Sequence, residues 1–216
     1  MTTYRRLELT CPCCGAKFES TTFNTTNTFG PISTEFQQFA VGASPLPLVM
    51  HACDACGYAG YETAFEAGMV DDELRTWVGR ELTPRLAPGG RLGAGERYAH
   101  AAMIAGQRGE GPEAVAGLYL AAAWCGGPGA TDHRREAARW YERAFAEESL
   151  PADRQAITAY LIGEIHRRIG NRAESAAWLG RVPAIAGNRP ELAGLVRLAR
   201  RQLDEPGDYI TPPADR

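Results

Sequence analysis

The pattern of apolar and polar positions changes near residue 66. Before this point, apolar residues alternate over short stretches rich in strand-forming side chains, and little helical periodicity is present. After it, stretches rich in Ala, Arg, Glu and Leu are separated by Gly and Pro, which is typical of successive helices. The sequence therefore predicts an α+β, mostly α protein, in which a small N-terminal β module precedes an antiparallel helical array.

Three strands are predicted in the N-terminal module. Residues 6–10 alternate apolar and polar side chains and residues 17–23 are rich in strand formers, so together they predict a β-hairpin. Residues 24–46 carry Asn, Thr, Gly, Pro and Ser, and they predict a long irregular insertion whose ends need a strong local constraint. Residues 47–52 predict a third strand.

Seven helices are predicted in the C-terminal part. Asp71 or Asp72 fits the N-cap of the first, and Pro112 suits the first turn of the third. Gly170 and Asn171 predict a tight turn between two helices, because Gly readily adopts the left-handed conformation. The predicted helices span about residues 71/72–82, 96–107, 112–125, 132–147, 152–169, 172–182 and 189–203, and a polar tail from residue 206 ends the fold.

An internal repeat is visible within these helices. The segment that begins at Trp140 aligns with the segment that begins at Trp178, and a small residue lies three positions before each tryptophan, Ala137 and Ser175. Small residues at these positions allow two helices to approach closely. The spacing indicates a tetratricopeptide-like array of helix pairs, and a generic helical bundle is the alternative.

The six cysteines indicate a metal site more than disulfides. The N-terminus has no apolar core typical of a signal peptide, so we expect a reducing compartment. Cys11 and Cys14, and likewise Cys53 and Cys56, fit the pattern C-x-x-C-G, in which two thiolates of one tight turn face the same ion. Two such turns predict a closed tetrahedral zinc site with a structural role, although iron fits the same ligands.

This metal site would supply the constraint that the insertion needs. Structural zinc contributes on the order of 10 kcal/mol to the folding of small modules. We therefore predict a split zinc-ribbon domain at residues 1–66, a connecting helix and Gly/Pro linker at 67–94, a tetratricopeptide-like domain at 95–205 and the polar tail at 206–216.

Other reactive side chains give weaker signals. Cys13 lies inside the first turn, either as a bystander or as a ligand that exchanges with its neighbours. His51 is interpreted as a strand residue rather than a fifth ligand, and Cys125 as a packed core residue. The remaining histidines fall on separate helices without a partner pattern: His100, His133 and His166.

Charge and motifs exclude several classes of function. The 23 basic and 26 acidic residues give a net charge of −3, so no strong field attracts nucleic acid or anionic lipid. The arginines around residues 134–143, 167–172 and 197–201 have acids nearby and are interpreted as solvated, paired helix faces rather than a nucleic-acid groove. No catalytic motif is present, which predicts a protein without enzyme activity. No apolar run approaches the roughly 20 residues of a membrane span, so we expect a cytoplasmic protein.

Two segments carry a resemblance to a known family. One is the run 44–65, SPLPLVMHACDACGYAGYETAF, which follows the N-terminal C-P-x-C-G turn, and the other is 116–124, AGLYLAAAW. Together they resemble a bacterial family of unknown function that joins a split zinc ribbon to tetratricopeptide-like helices. The resemblance covers nearly the whole chain and implies that Cys11, Cys14, Cys53 and Cys56 hold the metal. Cys13 and the Gly-rich break after Cys125 depart from the family pattern.

These observations favour a non-enzymatic zinc-binding scaffold. The helical repeats would bind an unidentified protein or peptide in a concave groove. Tyr119, Trp140, Tyr160 and Trp178 are candidates for either the groove or the core. Two alternatives remain open: a nucleic-acid-binding zinc ribbon, and a thiol redox switch with releasable zinc.

Overall fold

The computed structural model describes residues 3–87, 89–147 and 149–211. Six short strands and eight helices follow one another along this part of the chain. The strands are β1 (Thr3–Thr10), β2 (Lys17–Thr25), β3 (Ile32–Ser33), β4 (His51–Ala52), β5 (Ala59–Gly60) and β6 (Tyr209–Thr211). The helices are α1 (Leu46–Val49), α2 (Asp72–Glu81), α3 (Ala94–Gln107), α4 (Pro112–Trp124), α5 (Ala130–Glu147), α6 (Ala152–Arg168), α7 (Arg172–Ala186) and α8 (Ala193–Asp204). The predicted fold class is confirmed: the chain is mostly helical, with a small N-terminal antiparallel β region.

The predicted N-terminal hairpin is present and longer than the sequence pattern indicated. Strands β1 and β2 pair antiparallel from Thr10 opposite Lys17 to Thr3 opposite Thr25. Most side chains of the hairpin are exposed, and Leu7 and Thr22 are buried. The first cysteine turn thus connects the two strands of the hairpin.

The predicted third strand, residues 47–52, is wrong in its first part. Leu46–Val49 forms one helical turn, and only His51–Ala52 is extended, paired with Ala59–Gly60. Proline suits the first turn of a helix because its missing N–H has no partner there, and Pro45 and Pro47 both lie at this turn. The apolar run alone did not distinguish a strand from a short helix.

All seven predicted helices are present, with shifts at several ends. Helix α3 begins at Ala94, because Glu96 reaches back to accept a hydrogen bond from the Gly93 N–H at 2.7 Å. Helix α7 continues through Pro183 to Ala186 rather than ending at residue 182. Helix α8 begins at residue 193 after a short 3₁₀ turn.

Consecutive helices from α3 to α8 pack against one another, and α6 also contacts α8. Small side chains permit this packing: a Cβ atom added at Gly163 of α6 would lie 2.7 Å from Cγ of Leu179 on α7. The core between the helices is rich in buried alanine, together with Tyr98 and Tyr160. The arrangement is a helical array, and its tetratricopeptide character stays a prediction, as do the predicted domain boundaries.

The insertion and the C-terminal tail differ from the sequence-based expectation. Residues 24–46 were expected to be irregular, yet Ile32–Ser33 pairs antiparallel with Tyr209–Thr211, so the described start of the tail belongs to the fold. Next to this pairing, Thr34 and Glu35 are buried to 0% and 2% relative exposure. Tail residues 212–216 lie outside the described residues. The insertion is therefore anchored by the helices as well as by the cysteine turns.

Candidate metal centre

Two backbone turns of the same geometry carry the paired cysteines. In the first, the carbonyl of Cys11 accepts a hydrogen bond from the Gly15 N–H at 2.9 Å, and in the second, the carbonyl of Cys53 accepts one from the Gly57 N–H at 2.8 Å. Gly15 and Gly57 have φ angles of +76° and +80°, a conformation that glycine adopts without strain. The glycine of each C-x-x-C-G pattern is thus required by the turn.

The structure brings Cys11, Cys14, Cys53 and Cys56 together, with their four sulfur atoms within 4.8 Å of one another. The Sγ atoms of Cys11 and Cys56 are 3.6 Å apart, as are those of Cys14 and Cys53. A tetrahedral ion with metal–sulfur bonds of about 2.3 Å places its ligands roughly 3.8 Å apart, so the cluster fits such an ion closely. Cys14 is exposed and the other three thiols are buried.

Hydrogen bonds couple the thiols of Cys11, Cys53 and Cys56. Hydrogen bonds from Cys11 and Cys56 lower the pKa of Cys53 to about 2, and the hydrogen bond with Cys53 raises the pKa of Cys11 to about 12. The pKa of Cys56 is raised, first by its contact with Cys11. Four thiols this close ionise together only when a cation balances their charge, because neighbouring thiolates repel one another.

Backbone amides and three side chains from α2, α3 and the following turn hold the two cysteine turns. Backbone groups of Cys13 and Cys14 hydrogen-bond the sulfur of Cys11 and stabilise its thiolate form. Arg75 donates to the carbonyl of Cys13 at 3.0 Å, Thr83 donates to the carbonyl of Cys56 at 3.1 Å, and Nδ1 of His100 lies 2.9 Å from the carbonyl of Gly57. Sequence reasoning missed these three supporting side chains, because each is distant in the chain from the turn that it contacts.

The fifth cysteine of the N-terminal module lies beside the cluster. Cys13 is buried to 6% relative exposure, and its thiol interacts with Cys56. Burial raises the pKa of Cys13. Cys13 is not one of the four cysteines whose sulfurs converge. The two interpretations of Cys13, as a bystander or as a ligand that exchanges with its neighbours, both stay predictions.

The other candidate residues are not among the four whose ligand atoms converge. His51 is a buried residue of strand β4, and its Nδ1 lies 2.8 Å from Oγ of Ser20. Burial lowers the pKa of His100 and His133. His166 does have a partner, because its Nε2 lies 3.0 Å from a carboxylate oxygen of Glu142. Cys125 is half-buried at the C-terminal end of α4, and burial raises its pKa to about 11.

The arginine clusters are only partly the solvated pairs that the sequence indicated. Exposed pairs join Arg139 to Glu136 and Arg143 to Glu147 along α5. Arg134 of the same helix instead points inward, where its guanidinium makes two hydrogen bonds of 2.8 Å to the buried carboxylate of Glu35. The insertion thereby supplies a buried carboxylate to the helical array.

A second buried carboxylate joins the array to the insertion and to the C-terminal segment. Glu164 of α6 is fully buried and accepts hydrogen bonds from Arg167 and Arg168 at 2.7–3.0 Å. Thr34 of the insertion donates to the same carboxylate, and Arg167 also binds the carboxylate of Asp208 at 2.8 Å. The pairs of Glu164 with Arg167 and Arg168 are local, at i+3 and i+4, whereas Thr34 and Asp208 come from distant parts of the chain and no local pattern indicated them.

The candidate groove aromatics are largely core residues. Tyr160 has no exposed surface, its hydroxyl donates to the carbonyl of Thr34, and its ring packs against Phe36 at 5.1 Å. Tyr119 and Trp178 are each 9% exposed, and Trp140 is half-buried.

Two C-x-x-C-G turns that bring four sulfurs together, packed against an array of helices, define a class of protein: a helical-array protein with a cysteine cluster able to hold a metal ion. The chain belongs to DUF2225, a family of uncharacterised proteins conserved in bacteria, whose model matches residues 4–205. The family resemblance indicated by the sequence is thus confirmed. No curated protein and no solved structure gives a significant match. Within the described chain, no helix combines the length and apolarity needed to cross a bilayer.

Proposed function

We propose that this protein is a non-enzymatic, cytoplasmic scaffold in which a structural zinc ion joins the two cysteine turns of the N-terminal module, and the helical array that packs against this module binds another protein. The convergence of the four sulfurs carries the proposal. All four positions of a tetrahedral ion are filled by Cys11, Cys14, Cys53 and Cys56, which leaves no position for a catalytic water. Thiolate ligands favour zinc among the common divalent ions.

The metal part of the proposal is tested by elemental analysis of the purified full-length protein. We expect about one zinc per chain, and we expect Cys53→Ser to lose it, because three thiolates bind zinc much more weakly than four. Cys13→Ser is the matched control, since it removes a neighbouring buried thiol and should leave the zinc content unchanged. Iron in place of zinc, or equal loss from both variants, would contradict the assignment.

The protein-binding part is supported by one face of the helical array. The guanidinium of Arg181 lies 4.2 Å from the ring centre of Trp178 on α7, and that ring packs edge-on against Phe145 of α5 at 5.1 Å. Arg143 lies similarly over Trp140, at 5.1 Å. Arginine and tryptophan are enriched at the energetic centres of protein interfaces. We infer that this α5–α7 face binds an acidic segment of a partner.

Proximity labelling in the source bacterium, followed by binding assays with the recovered partner, tests this surface. Arg181→Glu should weaken partner binding by about tenfold or more, because it replaces attraction with repulsion at the centre of the face. Arg80→Glu on α2 is the control, as Arg80 is also exposed. If the protein instead binds RNA or DNA tightly, with a steep dependence on salt, the scaffold proposal fails.

The position of Cys13 supports a second candidate function, a redox switch with releasable zinc. Its thiol lies next to Cys56, so peroxide could oxidise the two thiols to a disulfide while peroxide is reduced to two water molecules. Mild peroxide should then release zinc, as measured with a zinc-sensitive dye, and Cys13→Ser should slow the release. Zinc retained under peroxide would exclude this function.

A further inference from the structure

A cavity of about 270 Å³ lies between strand β2, the second cysteine turn, the linker before α3 and the first turn of α3. Phe18, Leu48 and Leu92 are the large apolar side chains of its lining. The charged side chains of the lining are those of Glu19, Asp54, Arg91 and Arg97. The cavity therefore offers both apolar contacts and charged groups to a small molecule.

Arg97 is a half-buried arginine with no carboxylate partner among the residues that the structure describes. Four arginines of the described chain are half-buried, and the other three, Arg134, Arg167 and Arg168, each bind a carboxylate at 2.7–3.0 Å. Arg97 donates through Nη1 to the carbonyl of Met50 at 2.9 Å. Its Nε is buried and, among described residues, unpartnered. Burial lowers the pKa of Arg97, and the nearby carboxylate of Asp54 offsets part of this effect.

The charges around Arg97 favour a ligand with a single negative charge. Arg91 and Asp54 also line the cavity, and they neutralise each other as an ion pair of 3.4 Å. Glu19 is an exposed carboxylate on the lining, which disfavours a doubly charged anion. Ser20 also lines the cavity, and its hydroxyl oxygen lies 2.8 Å from Nδ1 of His51. A guanidinium donates charged hydrogen bonds that suit the oxygens of a carboxylate.

We propose that this cavity binds a small organic monocarboxylate, with its carboxylate on Arg97 and a short apolar body against Phe18, Leu48 and Leu92. The carboxylate compensates the charge of the Arg97 guanidinium, and the apolar body fills the remaining volume. The site adds a small-molecule function to the proposed scaffold. Binding of the carboxylate is measured on this protein without a partner. A failure to bind would therefore leave the proposals on zinc and the protein partner standing.

Calorimetric titration of the metal-loaded full chain with sodium benzoate tests the site, with benzamide as the neutral probe of the same shape. We expect saturable binding of one benzoate and no binding of benzamide. Arg97→Gln should weaken benzoate binding by about tenfold or more, because it removes a charged hydrogen-bond donor. Arg80→Gln is the matched control, since Arg80 lies on α2 outside the cavity lining, is 67% exposed and is paired with Glu81, and it should change the affinity by less than about threefold.

A second variant keeps the test independent of any folding defect in Arg97→Gln. Leu92→Trp fills the cavity from the linker while Arg97 stays in place, and it should also abolish benzoate binding. Absence of saturable benzoate binding to the native protein, equal binding of benzamide, or unchanged binding to both variants would overturn the proposal. Tighter binding of phenyl phosphate than of benzoate would overturn the assignment to a monocarboxylate.

Discussion

The buried pair of Glu35 and Arg134 offers the sharpest test of how the insertion is held. Glu35 is 2% exposed, and both its oxygens are used: Arg134 donates to each at 2.8 Å, and Trp124 Nε1 donates to one at 3.1 Å. The same contact raises the pKa of Arg134. Glu35→Ala removes the carboxylate and leaves a guanidinium and an indole N–H without their acceptor.

The expected loss of stability follows from the burial of the Arg134 guanidinium, which Glu35→Ala leaves without its carboxylate. Removing one member of a buried ion pair lowers the free energy of unfolding by about 3–5 kcal/mol. The Arg134 side chain is 18% exposed, so water compensates part of its charge and we expect the lower end, about 3 kcal/mol. With an unfolding entropy of about 2.1 cal/mol/K per residue, a chain of this length should lose about 7 °C in Tm.

Denaturant unfolding of the metal-loaded protein, monitored by circular dichroism, measures this loss. The double variant Glu35→Leu with Arg134→Met places apolar groups of similar size at both positions, and it should recover stability to within about 1 kcal/mol of the native protein. Hydrogen exchange locates the effect, since the Thr34 amide, bonded to the carbonyl of Asp208, should exchange faster in Glu35→Ala. A loss below about 1 kcal/mol in Glu35→Ala, or a double variant less stable than the single one, would refute this reasoning.

Two further predictions concern the helix packing and the support of the metal centre. Gly163→Ala should lower the free energy of unfolding by about 1–3 kcal/mol, because the added methyl group meets Leu179. Gly180→Ala should raise it by about 0.5–1 kcal/mol, because the space around this Cβ position is open. Equal effects of the two variants would contradict the close contact between α6 and α7. Burial lowers the pKa of His100 below its ordinary value of 6.5. The unfolded chain therefore protonates His100 at a higher pH than the folded chain does. Stability that is present above pH 6.5 is lost as the pH falls toward the folded pKa. Unfolding of metal-loaded His100→Gln between pH 5 and 7 should show a flatter pH dependence than the native protein, and an unchanged slope would show that His100 does not contribute.

The convergence of the four cysteines was predictable from sequence because its signal is local. Each C-x-x-C-G turn is complete within five residues, including the glycine whose positive φ the turn requires. The helices were predictable for the same reason, since periodicity, caps such as Asp71 and breaks such as Gly170 all lie within or beside the element. The error at residues 46–49 arose where the run was too short for periodicity to decide.

By itself, then, the sequence determined the elements and the candidate metal ligands. Tertiary structure alone decided how the distant segments meet: Glu35 on Arg134, Thr34 on Glu164, strand β3 on β6, and Arg97 left without a carboxylate. The physical reason is that the identity of a charged or polar residue does not indicate which distant residue it will contact. Burial demands that such a group be paired, but only the fold determines which remote group, or which ligand, satisfies it.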